Sequence, residues 1–398
     1  MGEAALALPA LSPPCPRGNG FELLCACASV RPSAEQEKTI AAAGGGAFDW
    51  KAFVETAEHH GVLPLVARSM TRYAEGLPAE IRQSLLAAYE RNLRRSLWFA
   101  AELGRVAGHL SAEGVRVLPY KGPVLAQAVY GDLGLRSFSD LDLLIAPGDF
   151  ERAKQALAEI GYQPAGELLA AVERFWLRTG YERSFDGTAG KNLIELQWAL
   201  LPRFYAVAVG SDFRFEDLYA RAGRTRVGEV DIPCMAAEDS LLVLCLHAAK
   251  HLWTRLIWVV DIAETLRSAD LDMSVAAARA RRLGIARMAG VSLWLAERLL
   301  GAEVPPAARE LIDGDDDVER LGECCATRLC WGEGYDLESS EYFRSILGLR
   351  ERWQDRWRYA WRLATTPGQG EIEAIALPES LFALYRAVRI ARLLRKLG

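Results

Sequence analysis

Residues 115–146 read VRVLPYKGPVLAQAVYGDLGLRSFSDLDLLIA, and the changes of period inside this stretch decide the fold class. VRVLPY (115–120) predicts a short strand, PVLAQAVYGD (123–132) a helix, and LDLLIA (141–146) a second, apolar strand. Pro119 donates no ladder hydrogen bond, which assigns the first strand to a sheet edge or a bulge. Downstream, Asp149 is expected to cap a helix that Gly161 closes. YERSF (181–185), a turn through Asp186-Gly187, and NLIELQW (192–198) then predict a hairpin with alternating faces.

Helical periods flank this mixed segment. Asp49 caps a helix whose apolar residues Trp50, Phe53, Val54 and Ala57 recur at i, i+3, i+4 and i+7, and Gly61 ends it. Pro78 opens a longer periodic stretch through Ile81, Leu85, Ala88 and Trp98 toward Gly114. After Ala236, the stretches SLLVLCLHAAKHLW, RLIWVVDIAETL, VSLWLAERLL and SLFALYRAVRIARLLRKL all have helical period. The expected class is α+β, with a flexible Ala/Gly/Pro-rich extension over 1–47, a helical module over 48–114, a mixed core over 115–235 and an all-α region over 236–398.

Composition narrows the function. The chain has 398 residues, 51% hydrophobic and 25% charged, which excludes disordered, collagen-like and disulfide-scaffold classes. A net charge of −5 argues against coating nucleic acid through a global basic field. The eight cysteines lack the spacing of a disulfide framework or a zinc site and read as reduced. The N-terminus lacks the basic and apolar regions of a signal peptide, and no apolar run approaches the roughly 18–20 residues of a membrane span, so a cytoplasmic protein is expected.

The chemistry concentrates at Lys121-Gly122, Arg136, Ser139-Asp140-Leu141-Asp142-Leu143-Leu144-Ile145 and Glu195. Side chains alternate along a strand, so Asp140 and Asp142 project from one face and can share metal ions. Glu195, on a second strand, supplies a third carboxylate. Oxygen-only ligands of this kind suit Mg²⁺ or Mn²⁺, which hold the attacking and leaving oxygens of a phosphoryl displacement. Lys121-Gly122 stands at a strand-to-helix turn, where a glycine admits close backbone approach, free N–H groups face a phosphate and the lysine adds a charge. Arg136 can fork onto phosphate oxygens.

Other features carry plainer readings. His247 and His251 share a helix face but lack an obvious third ligand, so they are expected to hydrogen-bond within the helical core or line the cleft that holds the acids; His59-His60 reads in the same structural way. Trp353, Trp357 and Trp361 are expected to pack in the core, and Arg386, Arg389, Arg392, Arg395 and Lys396 to form a solvated helix face. No nucleophile elbow, Walker loop or Rossmann fingerprint is present.

At these residues the chain resembles the nucleotidyltransferase superfamily of DNA polymerase beta type. It is most similar to a bacterial family of uncharacterised nucleotidyltransferases, through Lys121-Gly122, Arg136, Ser139-Asp140-Leu141-Asp142-Leu143-Leu144 and Glu195-Leu196-Gln197-Trp198. The likeness extends through AEHHGVLPLV (57–66), His247-Ala248-Ala249-Lys250-His251-Leu252-Trp253 and Leu256-Ile257-Trp258-Val259-Val260-Asp261, so it spans about 48–398 and makes 115–235 the nucleotidyltransferase core. It implies transfer of a nucleoside monophosphate from an NTP to an unknown acceptor (small molecule, peptide or RNA) with pyrophosphate release. Asp140, Asp142 and Glu195 would be the catalytic and metal-binding acids, and Lys121, Gly122, Arg136 and Ser139 would grip the triphosphate. Pro123 stands where relatives carry a glycine followed by a hydroxyl residue, and Gln197 where histidine is frequent. Two further readings follow from this resemblance: a non-catalytic nucleotide-binding scaffold, and a toxin-like enzyme that modifies transfer RNA.

Overall fold

The structure, a computed structural model, describes residues 20–43, 48–205, 207, 213–336, 339–375 and 377–397. Its centre is a five-stranded mixed sheet: β1 (Val117–Pro119), β2 (Leu141–Ile145), β3 (Gln163–Pro164), β4 (Glu182–Gly187) and β5 (Gly190–Gln197), in the order β1-β2-β5-β4-β3. β2 runs parallel to β5, and the other pairings are antiparallel. Pro119 does lie on the edge strand, where its missing N–H breaks no ladder. β2 is buried along its whole length, as its unbroken apolar run requires, Asp142 being the one polar side chain it buries. The α+β class is borne out, with helices over most of the remaining described residues.

Two local expectations shift. The hairpin turns at Thr188-Ala189, because Asp186 and Gly187 still belong to β4. Gly187 serves packing: a Cβ there would meet the Tyr162 ring at 2.6 Å, beside a bulge in the β4–β5 register. Asp149 precedes the helix Phe150–Glu159 but makes no side-chain cap; its carboxylate pairs with Arg152 at 3.7 Å.

The flexible extension expected over 1–47 is corrected for residues 21–43; residues 1–19 and 44–47 lie outside the described residues. FELLCAC (Phe21–Cys27) is a helix that buries Leu23 through Cys27. Ser33 then opens the helix Ala34–Ala42 with a reciprocal box, Gln36 N donating to Ser33 Oγ (3.3 Å) and Ser33 N to Gln36 Oε1 (2.8 Å). Arg68 donates to the Ser29 carbonyl and Val30 N donates to Glu264, so the link between the two helices is tied to both the helix Leu63–Tyr73 and the helix Leu256–Thr265.

Two large apolar clusters result, beside a small third one of Val172, Phe382 and Tyr385. One gathers residues 23–28, the helices Trp50–His59 and Leu63–Tyr73, and helices between 237 and 363. The other joins the sheet to the helix Phe150–Glu159 and to Phe99, Leu103, Val106 and Leu110 of the helix Ala79–Ala112. That 34-residue helix contributes Leu85 to the first cluster and its later turns to the second. The tryptophan stripe is also corrected: Trp353, Trp357 and Trp361 are 68%, 70% and 70% exposed, because the helix Trp353–Thr365 packs through Asp355, Tyr359 and Leu363. Six cysteines are free thiols, while Cys330 is disulfide-bonded, which corrects the reduced reading there; Cys15 lies outside the described residues. Among the described residues no helix is long and apolar enough to cross a membrane.

One buried ion pair ties the segment leading into β2 to the helix Leu256–Thr265. Arg136 Nε and Nη2 donate to the two oxygens of Asp261 (2.8 and 2.9 Å), and Tyr130 Oη donates to Asp261 Oδ1 (2.6 Å). Asp261 is 1% exposed. Asp261→Asn leaves the guanidinium uncompensated in the interior and is expected to cost about 3–5 kcal/mol, measured by urea unfolding; a loss under about 1 kcal/mol would show that the pair does not hold this segment to the helix.

Candidate active site

Parallel pairing sets Asp142 directly opposite Glu195. Asp140 stands immediately before β2, and Lys121 ends the turn out of β1. Gly122 has φ +56°, and a Cβ on it would come within 3.3 Å of the Asp140 carbonyl oxygen. This glycine therefore lets the chain after β1 pass close to the chain entering β2. It is buried beneath that carbonyl, beside Lys121, which lines the cleft.

The remaining expected residues, Lys121, Arg136, Ser139, Asp140, Asp142 and Glu195, line one cavity of about 900 Å³. Lys121 Nζ binds Asp142 Oδ1 at 2.8 Å. Gln197 Nε2 lies 3.2 Å from Asp142 Oδ1, 3.2 Å from Glu195 Oε2 and 3.3 Å from Glu182 Oε2. Tyr120 Oη donates to Gln197 Oε1 at 2.6 Å, which turns the amide nitrogen toward the carboxylates. With two hydrogens on that nitrogen, two of the three acids can be fully served at once.

Burial and mutual repulsion govern the protons. Burial, reinforced by Asp142, Glu182 and Asp140, raises Glu195 to about 8. Burial and Asp142 raise Asp140 to about 6, against the pull of Lys121. Glu182 is also raised by burial, against the pull of Lys250. Burial works against the Lys121 ammonium, but Asp142 outweighs it and the lysine is raised. Lys250 Nζ donates to Tyr181 Oη at 3.0 Å, and burial lowers it.

Facing the acids is an aromatic wall of His247, His251 and Trp258, with the His251 and Trp258 rings 4.9 Å apart and inclined by 31°. The histidines thus line the cleft. Burial lowers both, His251 to about 3, so they stand neutral. His60 is fully buried, and its Nδ1 accepts from Leu256 N at 3.3 Å. Arg136 enters the cleft with Nε and Nη2 already committed to Asp261, so the free fork expected for phosphate is reduced to Nη1.

Sequence reasoning missed Glu182, Tyr120 and Lys250. The hairpin register carried a signal for Glu182, since β4 places it opposite Gln197. A second cavity, of about 380 Å³, shares Tyr181 and Glu182 with the cleft. Among the described residues no three His, Cys, Asp or Glu side chains are arranged to hold a metal ion.

Residues 46–301 match the family of uncharacterised nucleotidyltransferases, and the chain belongs to that family. No curated protein and no solved structure matches it. The match takes in the long helix, the whole sheet and the aromatic wall, and it ends before the exposed tryptophans.

The raised Glu195 carboxyl has a measurable sign. In the unfolded chain it ionises near its ordinary value of 4.5, whereas in the folded protein it keeps its proton to about 8. Its contribution is therefore present at low pH and lost as pH rises across that window. In EDTA, the stability of the wild-type protein relative to Glu195→Gln is expected to fall by roughly 2 kcal/mol between pH 5 and 8, read by urea unfolding at each pH. A flat difference would mean that Glu195 titrates as an ordinary carboxylate.

Proposed function

We propose that this member of the uncharacterised nucleotidyltransferase family transfers a nucleoside monophosphate from an NTP to an acceptor hydroxyl or phosphate, releasing pyrophosphate. In this reading residues 115–235 are the nucleotidyltransferase core of polymerase beta type, between the helical regions 48–114 and 236–398. The observation that carries it is the convergence of Asp140, Asp142 and Glu195 in a cleft that also holds Lys121 and Arg136. Carboxylates alone would repel a polyphosphate, and cations alone would not need a cluster of acids; a cleft with both suits a phosphate chain accompanied by a divalent cation.

The donor set fits Mg²⁺ or Mn²⁺. Mg²⁺ is commonly bound through one or two carboxylates together with substrate phosphates, and Asp140 and Asp142 supply two such carboxylates on one side of the cleft. Asp140 and Asp142 would hold the cation, which when bound neutralises charge on the phosphates. Lys121 exchanges Asp142 for a phosphate oxygen, freeing that carboxylate, while Arg136 Nη1 and Ser139 orient the same chain of phosphates. The acceptor oxygen attacks the α-phosphorus, the bond to the pyrophosphate oxygen breaks, and pyrophosphate departs. Glu195, which would lose its own proton once the cation offsets the neighbouring negative charges, then takes the acceptor proton.

The closed Lys121–Asp142 pair supports a second reading, a scaffold that binds nucleotide without turning it over. Labelled NTP with Mg²⁺ or Mn²⁺ separates the two: transfer or pyrophosphate release lost in Asp140→Asn/Asp142→Asn supports the enzyme, and calorimetric binding without turnover supports the scaffold. Activity that survives the double substitution would overturn the assignment.

Thermal unfolding tests the cation independently of the acceptor. Like charges about 4 Å apart repel by roughly 4 kcal/mol at an effective dielectric of 20. Mg²⁺ with NTP is therefore expected to raise the melting temperature by several degrees, reversibly with EDTA. Asp140→Asn should raise the metal-free melting temperature and abolish the response. A correctly folded Asp140→Asn protein with an undiminished response would place the cation elsewhere.

A further inference from the structure

The helix Trp353–Thr365 turns its tryptophans away from the protein. Trp353, Trp357 and Trp361 are each about 70% exposed, and Asp355, Tyr359 and Leu363 face inward. Steps of four residues advance about 6 Å and rotate about 40°, so the three indoles form a ribbon about 12 Å long on one side of the helix. Gln354, Arg358 and Arg362 are also exposed, making the outer side both aromatic and cationic. A single exposed apolar side chain needs no explanation, but a contiguous row of the largest ones does.

The helix Tyr385–Leu397 packs against this one. Arg389 Nε donates to the Leu363 carbonyl (3.0 Å) while its Nη1 pairs with the fully buried Glu371 (3.3 Å), so the contact is fastened from within. The outer side remains apolar: Ile390 and Leu394 are 43% and 65% exposed, and Leu381 and Leu384, just before the helix, are 42% and 48% exposed. Residues 350–398 carry ten Lys and Arg against five Asp and Glu, a local excess of +5 on a chain whose net charge is −5. All of this lies beyond residue 301, where the family match ends, and none of it lines the cleft.

We propose that this C-terminal face docks the protein on an anionic lipid bilayer, lying on the surface and not crossing it. Indoles settle at the headgroup level with the ring in the apolar boundary and the N–H in the wet layer. Arginines beside them reach anionic headgroups, and exposed leucine and isoleucine enter the acyl edge. The aliphatic residues distinguish this partner from nucleic acid, whose bases stack on aromatic rings but make little use of leucine. The shared positive charge distinguishes it from a second copy, since a two-fold contact through this face would bring like charges together.

The test is sedimentation of the full chain with vesicles of phosphatidylcholine alone and with about one third phosphatidylglycerol. Binding is expected to the anionic vesicles, weakening as salt rises. Trp353→Ala/Trp357→Ala/Trp361→Ala should weaken it roughly tenfold or more, and Arg386→Glu/Arg395→Glu, at two exposed positions of the neighbouring helix, should weaken it for anionic vesicles, both with unchanged circular dichroism. Failure of the wild-type protein to sediment with either vesicle overturns the proposal, as does binding that the tryptophan substitutions leave intact. It is equally overturned if those substitutions abolish binding to a single-stranded RNA oligonucleotide, or convert a dimer to a monomer in light scattering, while vesicle binding is absent.

Discussion

The parallel pairing of β2 with β5 sets the terms for the rest of the cleft. Its register places Asp142 against Glu195, and the antiparallel partner β4 adds Glu182 beside them. Three carboxylates on neighbouring strands, with Asp140 at the strand entrance, cannot all ionise in a half-dry cavity without compensation. The molecule supplies it unevenly. Lys121 takes Asp142, whereas Gln197 offers hydrogen bonds but no charge, and Tyr120 decides which end of that amide faces the acids. Protonation supplies the remainder, which is why Asp140 and Glu195 hold their protons far above the ordinary carboxylate range.

Such a cluster requires a rigid surround, because a few tenths of an ångström would let the charges relax into water. The Arg136–Asp261 pair provides one restraint by fastening the segment between Tyr130 and Asp140 to the helix Leu256–Thr265. The helix Ala79–Ala112 provides another, since its two ends belong to different apolar clusters. The cleft is walled by residues from both clusters' elements, so its shape depends on long-range packing and not on its lining loops alone.

Much of this was legible in the sequence. The switch from helical to alternating period located the sheet, proline marked the edge strand, and two aspartates at i and i+2 predicted a shared face. What was hidden depended on partners distant in the chain. Nothing local to Arg136 shows that Asp261, 125 residues away, takes two of its nitrogens. Glu182 looked like any exposed strand residue until the register set it beside Gln197. Averaged composition made residues 21–43 look loose, although FELLCAC alone carries enough apolar surface to be buried. The tryptophan stripe failed for a different reason: periodicity shows that residues share a face, but only the buried Asp355, Tyr359 and Leu363 reveal that the opposite face was chosen.

Gln197 clarifies what kind of site the cluster is. A histidine at that position could accept a proton and cancel one of the surrounding negative charges by itself. An amide cannot, and Tyr120, kept protonated by burial and by Asp142, holds it in one orientation. Lys250 is also an incomplete remedy, because its ammonium donates to Tyr181 and burial weakens its charge. The chain thus leaves Glu195 and Asp140 with two ways to be satisfied: to keep protons, as they do alone, or to meet a cation brought from outside. A group that must choose between a proton and a cation couples cation affinity to pH. On the reading proposed here, the same acids bind their cation more tightly as pH rises toward 8, with Lys121 leaving Asp142 as the cation arrives.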